Sequence, residues 1–260
     1  MISKSKLAII ETTDLYKAFG NNKVLRGVNL SIQKGESLAI IGTSGSGKSV
    51  LIKNIIGLLD PDSGAVRIKG TNVLSLNDKR RGEFNRKFGV LFQGAALFDS
   101  LPIWENIAFG LIQLDGLDRK TAYEKAQETM LQVGLSPEIA KLYPGELSGG
   151  MQKRVGLARA ITTKPEIIFF DEPTTGLDPI MASIIDNLII KNVRELGATA
   201  LTITHDMSSA RRIADKIAMN HEGKIIWNGP VNEINNSGNS IVEQFINGSS
   251  SGPIDTSVVR

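Results

Sequence analysis

The chain has 260 residues and a mass of 28.1 kDa, and its content of 41% apolar and 22% charged residues is typical of a soluble globular protein. It has no cysteine and only two histidines, which excludes disulfides and thiolate nucleophiles and argues against a multi-histidine metal site. The net charge of +3 is too small an excess to indicate nucleic-acid binding.

The N-terminal residues carry a short apolar run, which Glu11 ends before the core of a signal peptide could form. We expect this run to begin the first strand. The most apolar window, residues 97–114, is interrupted by Asp99, Pro102 and Glu105, so it falls short of the ~20 apolar residues of a membrane span. We therefore expect a cytoplasmic chain that depends on other chains to cross a membrane.

The first part of the chain alternates strands and turns around one helix. Val28, Leu30 and Ile32 alternate with polar residues, which is the pattern of a half-buried strand. A helix is predicted over residues 50–59, and it ends at a run of turn-forming residues. Compact apolar runs predict three further strands, at residues 37–41, 66–69 and 89–92.

The rest of the chain begins with a predominantly helical segment, from about Gly94 to Lys164. Residues 167–170 are all apolar, which predicts a strand buried on both faces, as in a parallel sheet covered by helices. Strands are also predicted at residues 199–204 and 224–227. Between the strands at 167–170 and 199–204 a long helix is predicted, with its apolar face at Met181, Ile184, Ile185, Leu188 and Leu196. This alternation of strands and helices indicates an α/β core.

A glycine-rich segment between a predicted strand and a predicted helix matches the P-loop pattern G-x-x-x-x-G-K-[ST]. The glycines let successive backbone N–H groups form an anion-binding nest, and the helix N-terminus adds a favourable dipole. In such a loop the lysine reaches the β- and γ-phosphates of a nucleotide, and the last hydroxyl binds Mg²⁺. The segment consists of Gly42, Thr43, Ser44, Gly45, Ser46, Gly47, Lys48 and Ser49.

Two carboxylates, Asp171 and Glu172, follow the fully apolar strand at its end. Such a pair of charges is costly at the end of a buried strand unless it meets a cation. We expect Asp171 to hold Mg²⁺, either directly or through water. Because neighbouring side chains diverge, Glu172 points elsewhere, where it could polarise the water that attacks a γ-phosphate.

A second candidate phosphate-binding helix terminus lies in the run Leu147-Ser148-Gly149-Gly150-Met151, before a predicted amphipathic helix. Ser148 is a favourable N-cap, and Gly149 and Gly150 expose backbone N–H groups. One P-loop does not need a second such terminus in the same chain. The arrangement makes sense if these residues serve a nucleotide that another copy of the chain holds, which predicts a head-to-tail homodimer.

Taken together, these motifs resemble those of the ATP-binding cassette (ABC) ATPases, whose LSGGQ signature is changed here only by Met151 in place of the glutamine. The other family marks occur in chain order, so the resemblance assigns further roles. It implies that Phe19 stacks on adenine and that Gln93 touches Mg²⁺ or the attacking water. It also places Asp178 in the D-loop and His205 near the γ-phosphate.

The fold implied by this resemblance is a P-loop ATPase with a RecA-like α/β core, an N-terminal antiparallel β region and an inserted helical subdomain. The single domain is expected over residues 7–247, with the helical subdomain at about 94–164 and a C-terminal tail over 248–260. ATP and Mg²⁺ are the expected nucleotide and cofactor, and ATP hydrolysis is the expected reaction.

A narrower resemblance, to the ATPases of Mla-type phospholipid transporters, depends on residues 92–101 and on Trp104-Glu105-Asn106. Residues 94–104 are apolar enough to dock a membrane permease, although they could instead form the core of the helical insertion. The tail, with Gly252-Pro253-Ile254, resembles one that crosses to the partner ATPase. We therefore expect Ile254, Val258 and Val259 to dock on the partner subunit.

The implied function is to power phospholipid transport between membranes of the cell envelope, at the cytoplasmic face of the inner membrane. The expected partners are integral membrane permease subunits, an Mce-domain lipid-binding protein and an accessory subunit, with no nucleic acid. The ATPase of an importer for amino acids or another small solute is the alternative. ABC ATPases of DNA repair or translation fit less well, because the chain has one cassette and no long coiled-coil insertion.

Overall fold

The computed structural model of the chain describes residues 8–254. The predicted start of the domain at residue 7 and the end of the predicted tail, with Val258 and Val259, lie outside the described residues. Within the described range, no helix is both long enough and apolar enough to span a membrane.

The strands of this range, numbered in chain order, are β1 (Ala8–Phe19), β2 (Asn22–Gln33), β3 (Ser37–Ile41), β4 (Ser63–Ile68), β5 (Thr71–Asn72), β6 (Phe88–Leu91), β7 (Ile167–Asp171), β8 (Thr199–Ile203), β9 (Lys216–His221) and β10 (Lys224–Pro230). The α-helices are α1 (Lys48–Ile56), α2 (Asp78–Asn85), α3 (Ile103–Gln113), α4 (Arg119–Gln132), α5 (Gly149–Ile161), α6 (Pro179–Leu196), α7 (Met207–Ile213) and α8 (Ser240–Asn247). Short 3₁₀ helices cover Val73–Ser75, Pro137–Lys141, Pro144–Glu146 and Val231–Asn236.

These elements form two compact units, of which the first comprises the residues up to Leu74 and from Ile203 onward. It contains a four-stranded sheet in the order β2-β1-β4-β5, with β1 antiparallel to both β2 and β4. The antiparallel β region predicted near the N-terminus is thus confirmed. In the same unit, β9 pairs in parallel with β3 and antiparallel with β10, so the P-loop segment leaves β3 beside the end of β9.

An apolar cluster in the first unit packs around β3 and β9. Its buried members are Ala39, Ile41, Ala210, Ile217, Met219, Ile234 and Val242, and α8 contributes partly buried residues around them. Ile254 also packs against this cluster, where it lies within its own chain. Ile254 thus contacts its own chain while part of its side chain stays exposed, and the expectation that it docks on a partner subunit stays a prediction.

The second unit, Ser75–Thr202, contains strands in the order β8-β7-β6 together with α2 to α6. β7 is buried at every position, as its apolar run predicts, and it pairs in parallel with β6. Phe169 meets the edge of Phe88 at 5.4 Å between ring centroids, which fixes this strand pair from one face. The last residue of β7, Asp171, therefore comes directly after four buried apolar residues.

Candidate functional site

The P-loop has the backbone geometry that a phosphate-binding loop requires. Gly42 and Gly47 have φ values of 152° and 98°, which L-residues with side chains rarely adopt. A Cβ at Gly42 would lie 2.1 Å from the Asn220 carbonyl oxygen, and one at Gly47 would lie 2.8 Å from that of Val24. Glycine is therefore required at both positions by conformation and by space.

The N-terminus of α1 has no side-chain cap and no acidic residue, so its backbone N–H groups can accept an anion as ligand. Gly47 is its N-cap and offers no side-chain hydrogen bond, and no acidic residue lies in the first turn. The hydroxyl of Ser46 is buried and has no hydrogen-bond partner among the residues that the structure describes. The Lys48 side chain is 7% exposed and donates to the carbonyls of Gly42 and Thr43, at 2.8 and 3.0 Å. Backbone donors and an ammonium group thus converge on one loop, which suits a phosphate group.

Phe19 and His205 belong to the same unit as the P-loop. Phe19 ends β1 with 51% of its surface exposed, and Lys17 Nζ lies 5.7 Å from the centroid of its ring. An exposed ring of this kind can stack on a base. His205 is exposed and follows β8, just before Asp206 caps α7 by accepting from the backbone N–H of Ser208. Its predicted position beyond the end of a strand is confirmed.

The acidic end of β7 has an unusual backbone. Asp171 and Glu172 are 7% and 9% exposed, and Glu172 has a φ of 49°, which is in the left-handed region. Thr175 Oγ1 donates to Glu172 Oε2 at 2.9 Å, and Thr175 N donates to the Glu172 carbonyl at 3.3 Å. Glu172, in its left-handed conformation, turns the chain immediately after the strand. Thr175 donates hydrogen bonds to both the side chain and the backbone of Glu172.

Gln93 lies beyond β6, and its side chain is exposed. Its carbonyl accepts a hydrogen bond from Lys153 Nζ on α5, and the same ammonium donates to the Glu172 carbonyl at 3.3 Å. Burial lowers the pKa of Lys153, and the charges of Asp171 and Glu172 oppose that effect. The second unit therefore brings three predicted site residues, Gln93, Asp171 and Glu172, around one lysine that the sequence analysis did not single out.

The predicted signature residues lie at the N-terminus of α5. Ser148 is the N-cap and accepts from Met151 N at 3.3 Å, which confirms its predicted capping role. Ser148 and Gly149 are exposed, whereas Gly150 is buried, and a Cβ there would lie 2.7 Å from Met181 Cε. The helix terminus thus presents its backbone donors at the surface, and the glycine behind it allows close packing.

Asp178 is committed to a second helix terminus. It caps α6 by accepting from Ile180 N and Met181 N, both at 3.0 Å. Ile180, in the first turn of this helix, is 74% exposed, a large apolar side chain left on the surface. Ser148 and Asp178 therefore cap separate helices, and neither belongs to the group around Lys153.

The segment 94–104 combines the two expectations for it. Ala95 and Ile103 are buried, whereas Phe98 is 42% exposed and packs against Phe109 with 4.6 Å between the ring centroids and the rings tilted by 34°. Asn106, which is fully buried, accepts from Phe98 N at 2.7 Å and donates to the carbonyls of Phe98, Leu101 and Pro102. The segment is therefore partly core and partly exposed surface.

The oxygen donors available for Mg²⁺ are few. Among residues 8–254, no group of three or more His, Cys, Asp or Glu side chains could hold a metal ion. Mg²⁺ usually binds through one or two protein groups and completes its shell with phosphate oxygens and water. The hydroxyl of Ser49 in the first unit and the carboxylate of Asp171 in the second are each hard oxygen donors of the kind Mg²⁺ prefers, so the chemistry of each residue fits a Mg²⁺ ligand.

The chain matches known proteins at the level of sequence and fold. A family profile described as ABC transporter matches residues 25–175. The protein TRIGALACTOSYLDIACYLGLYCEROL 3, chloroplastic, of Arabidopsis thaliana is 41% identical over 263 residues, which cover 95% of this chain and 75% of that protein. The probable ribonucleotide transport ATP-binding protein mkl of Mycobacterium tuberculosis is 39% identical over 95% of this chain and 69% of its own length.

Similarity also extends to an importer protein and to solved structures. A methionine import ATP-binding protein of Oceanobacillus iheyensis is 42% identical over 86% of this chain and 66% of its own length. A dimeric ATP-binding cassette in a post-hydrolysis state, bound to ADP and Pi, has a TM-score of 0.79 at 31% identity and covers 85% of this chain and 98% of its own. CbiO1 of Clostridium perfringens, part of an ABC transporter complex, has a TM-score of 0.79 at 27% identity and covers 94% of this chain and 96% of its own. The predicted α/β class, with its antiparallel and parallel sheets, is confirmed by these structures.

Proposed function

Because the chain belongs to the ABC transporter family and is an ATP-binding subunit of such a transporter, we propose that it hydrolyses ATP to drive lipid transport. The observation that carries the hydrolytic part is the buried Glu172, whose carboxylate is held by Thr175 directly after the apolar strand β7. A fixed and desolvated carboxylate suits a general base for the attacking water.

The P-loop residues are proposed to bind the phosphates of ATP. The backbone of residues 42–49 supplies N–H groups, and Lys48 supplies the positive charge for the β- and γ-phosphates. Ser49, Gln93 and Asp171 would hold Mg²⁺, which when bound neutralises phosphate charge. Phe19 would stack on the adenine ring, as its exposed ring allows.

In-line attack of water on the γ-phosphate is the proposed reaction. Glu172 accepts the proton of the attacking water, while Gln93 and His205 contact the water or the γ-phosphate. Because the transition state of phosphoryl transfer is stabilised mostly by positioning and by charge, no covalent intermediate on the protein is needed.

A head-to-tail homodimer is proposed to complete each ATP site. Ser148, Gly149 and Gly150 would bind the phosphates held by the other subunit, through the exposed N-terminus of α5. Asp178 would act at the same interface, and the exposed Ile180 beside it is an apolar group that a dimer would cover. The similar solved cassette is a dimer, which supports this proposal.

A phospholipid or related glycerolipid is the proposed cargo. The Arabidopsis relative, which is similar over 95% of this chain, is named after a glycerolipid, trigalactosyldiacylglycerol. The chain would sit at the cytoplasmic face of the inner membrane, bound to permease subunits through the exposed part of residues 94–104, and an Mce-domain protein and an accessory subunit would complete the transporter. A second candidate is an importer of amino acids or another small solute, because the methionine import protein is equally similar, although over a shorter part of this chain.

Purification of the tagged chain with its partners from native membranes tests the cargo. We expect an integral membrane permease, an Mce-domain protein and bound phospholipid, identified by mass spectrometry of proteins and of extracted lipids. A complex that contains a solute-binding protein and no bound lipid would support the importer instead.

Glu172→Gln tests the catalytic assignment separately from the cargo. This variant should bind ATP normally and accumulate an ATP-bound dimer, which size-exclusion chromatography detects, because it keeps the shape of the side chain and loses the base. Lys48→Ala is the comparison variant and should lose ATP binding as well. Normal turnover by Glu172→Gln would remove Glu172 from its proposed role.

A further inference from the structure

Lys153 is a buried charged residue to which the proposed mechanism assigns no role. It lies in the first half of α5, and only 6% of its surface is exposed. A buried ammonium is costly unless its donors are used and opposite charges lie close to it. Here both conditions are met within the second unit, by carbonyl oxygens and by carboxylates.

The two carbonyls that Lys153 Nζ contacts belong to two of the three residues that act on the attacking water or the γ-phosphate in the proposed function. One is the carbonyl of Gln93, 60 residues earlier in the chain, and the other is the carbonyl of Glu172, 19 residues later. One side chain from α5 therefore joins the segment after β6 to the end of β7.

The contact with Glu172 falls at a residue with a left-handed backbone conformation. A glutamate with a φ of 49° is strained, and such a residue persists only when its surroundings hold it. Its carbonyl accepts from both Lys153 Nζ and Thr175 N, each at 3.3 Å. The direction of the Glu172 side chain depends on this backbone conformation, so these two donors help to set where the carboxylate points.

We propose that Lys153 is a positioning residue for ATP hydrolysis: its ammonium fixes the backbone of Gln93 and Glu172 relative to each other and thereby aims both side chains. This inference rests on the proposed function. The opposing effects on the pKa of Lys153, with burial lowering it and the carboxylates of Asp171 and Glu172 raising it, agree with an ammonium that is held between carbonyls and acids.

The test is the substitution Lys153→Met, which keeps the length and the apolar stem of the side chain but removes the donor. Mg²⁺-dependent ATPase activity, ATP affinity and melting temperature are measured on the purified full-length chain. We expect kcat to fall about 10- to 100-fold, because small displacements of positioned groups are costly, while the Kd for ATP stays within about twofold. Trapping of ADP with orthovanadate, which reports on transition-state geometry, should fall in parallel with kcat.

Lys191→Met is the matched control, because Lys191 is an exposed lysine on α6. If both this control and the wild-type chain lack ATPase activity, the proposed function itself fails. If both hydrolyse ATP and Lys153→Met keeps kcat within about twofold of theirs, the positioning role is overturned and the proposed function stands.

A double mutant separates positioning from general loss of structure. When Lys153→Met is added to Glu172→Gln, the residual single-turnover rate should fall by a smaller factor than in the wild-type background, because one of the two groups that Lys153 aims is already lost. An equal fall in both backgrounds would show that Lys153 does not act through Glu172. If Lys153→Met is too unstable to purify, Lys153→Gln replaces it in the same measurements, because the shorter uncharged amide cannot reach both carbonyls.

Discussion

The side-chain amide of Asn220 donates a hydrogen bond of 3.0 Å to the backbone carbonyl of Ser46, across 174 positions of the sequence. Asn220 is fully buried near the end of β9, so this bond fastens the middle of the P-loop to the strand beside β3. The carbonyl of Asn220 also lies so close to Gly42 that any Cβ there would clash with it. Asn220 thus constrains the P-loop backbone at two residues, Gly42 and Ser46.

Asn220→Leu should therefore weaken ATP binding as well as lower stability. Loss of a buried hydrogen bond costs about 1–3 kcal/mol, and here part of that cost falls on the conformation that binds phosphate. Asn192→Leu is the control, because Asn192 is also buried and, within residues 8–254, its amide donates only to Leu188 O of its own helix. Both variants should lower the melting temperature, and only Asn220→Leu should raise the Kd for ATP, measured by calorimetry. An equal Kd in the two variants would contradict this prediction.

Thr175→Val should reduce turnover with little effect on ATP binding. The variant keeps the size of the side chain but removes the 2.9 Å bond to the Glu172 carboxylate. A hydrogen bond to a charged group contributes about 1.5–3 kcal/mol, which corresponds to a fall in kcat of about 10- to 100-fold if the carboxylate leaves its catalytic position. Steady-state kinetics check this prediction, and a change in KM with an unchanged kcat would refute it. Thr174→Val is the control. Thr174 is buried, directly precedes Thr175 in the chain, and makes no side-chain hydrogen bond to Glu172 in the described residues.

The sequence predicts the local elements of the fold well where apolar pattern and glycine spacing decide them. The run Ile167–Asp171 forms a strand buried at every residue, and Ser148 caps α5. Element ends are less well predicted: the helix expected at 50–59 begins at Lys48 and ends at Ile56, because Gly57, with a φ of 83°, closes it in the left-handed conformation.

Faces and distant partners are harder to predict than element types. The predicted apolar face of α6 includes Ile185, yet Met181, Ile184, Leu188 and Leu196 are only partly buried, and the buried face instead includes Asp186 and Asn192. Asn220 and Lys153 are missed because their partners lie 174 and 60 residues away, so no local spacing reveals them. A charged residue on the otherwise buried face of α5 is the one signal that could have pointed to Lys153.

The ionised carboxylate of Asp62 should stabilise the first unit, and this contribution should be lost in acid. Its pKa is lowered by the hydrogen bond from Lys17 Nζ and by a second from Ala18 N, at 2.9 and 2.6 Å. A carboxyl whose pKa is lower in the folded than in the unfolded chain contributes stability that is complete above the unfolded value, 3.8, and is lost as the pH falls through the folded value.

Asp62→Asn tests this contribution. The difference in free energy of unfolding between wild type and variant should be constant near neutral pH and shrink below about pH 4, as measured by urea denaturation at a series of pH values. A difference that is the same at all pH values, or that widens in acid, would show that Asp62 does not stabilise the fold through its charge.

Truncation after Gly248 should lower the stability of the chain. It removes Ile254 from the apolar cluster of the first unit, and it removes the backbone partners of Gln244, whose Oε1 accepts from Ile254 N at 2.6 Å. Loss of one partly buried isoleucine with its hydrogen bonds should cost about 1–3 kcal/mol, measured as the free energy of unfolding. Truncation after Ile254 is the control, because it keeps all these contacts. Equal stability of the two shortened chains would show that residues 249–254 contribute nothing to the fold.

The proposed head-to-tail dimer can be tested by disulfide formation, because the chain has no cysteine and any cross-link must come from introduced residues. Ser44 in the P-loop and Ser148 at the N-terminus of α5 are both exposed and are proposed to face the same ATP from opposite subunits. Each is changed to cysteine in a separate Glu172→Gln chain, so that no molecule carries both. A mixture of the two chains with ATP should form a cross-linked dimer under mild oxidation, seen by non-reducing electrophoresis. Each chain alone should not, because a head-to-tail dimer keeps two copies of the same loop apart, whereas a head-to-head dimer would bring them together. Cross-linking of the single variants and not of the mixture would therefore reject the proposed arrangement, and with it the assignment of Ser148 to the partner's nucleotide.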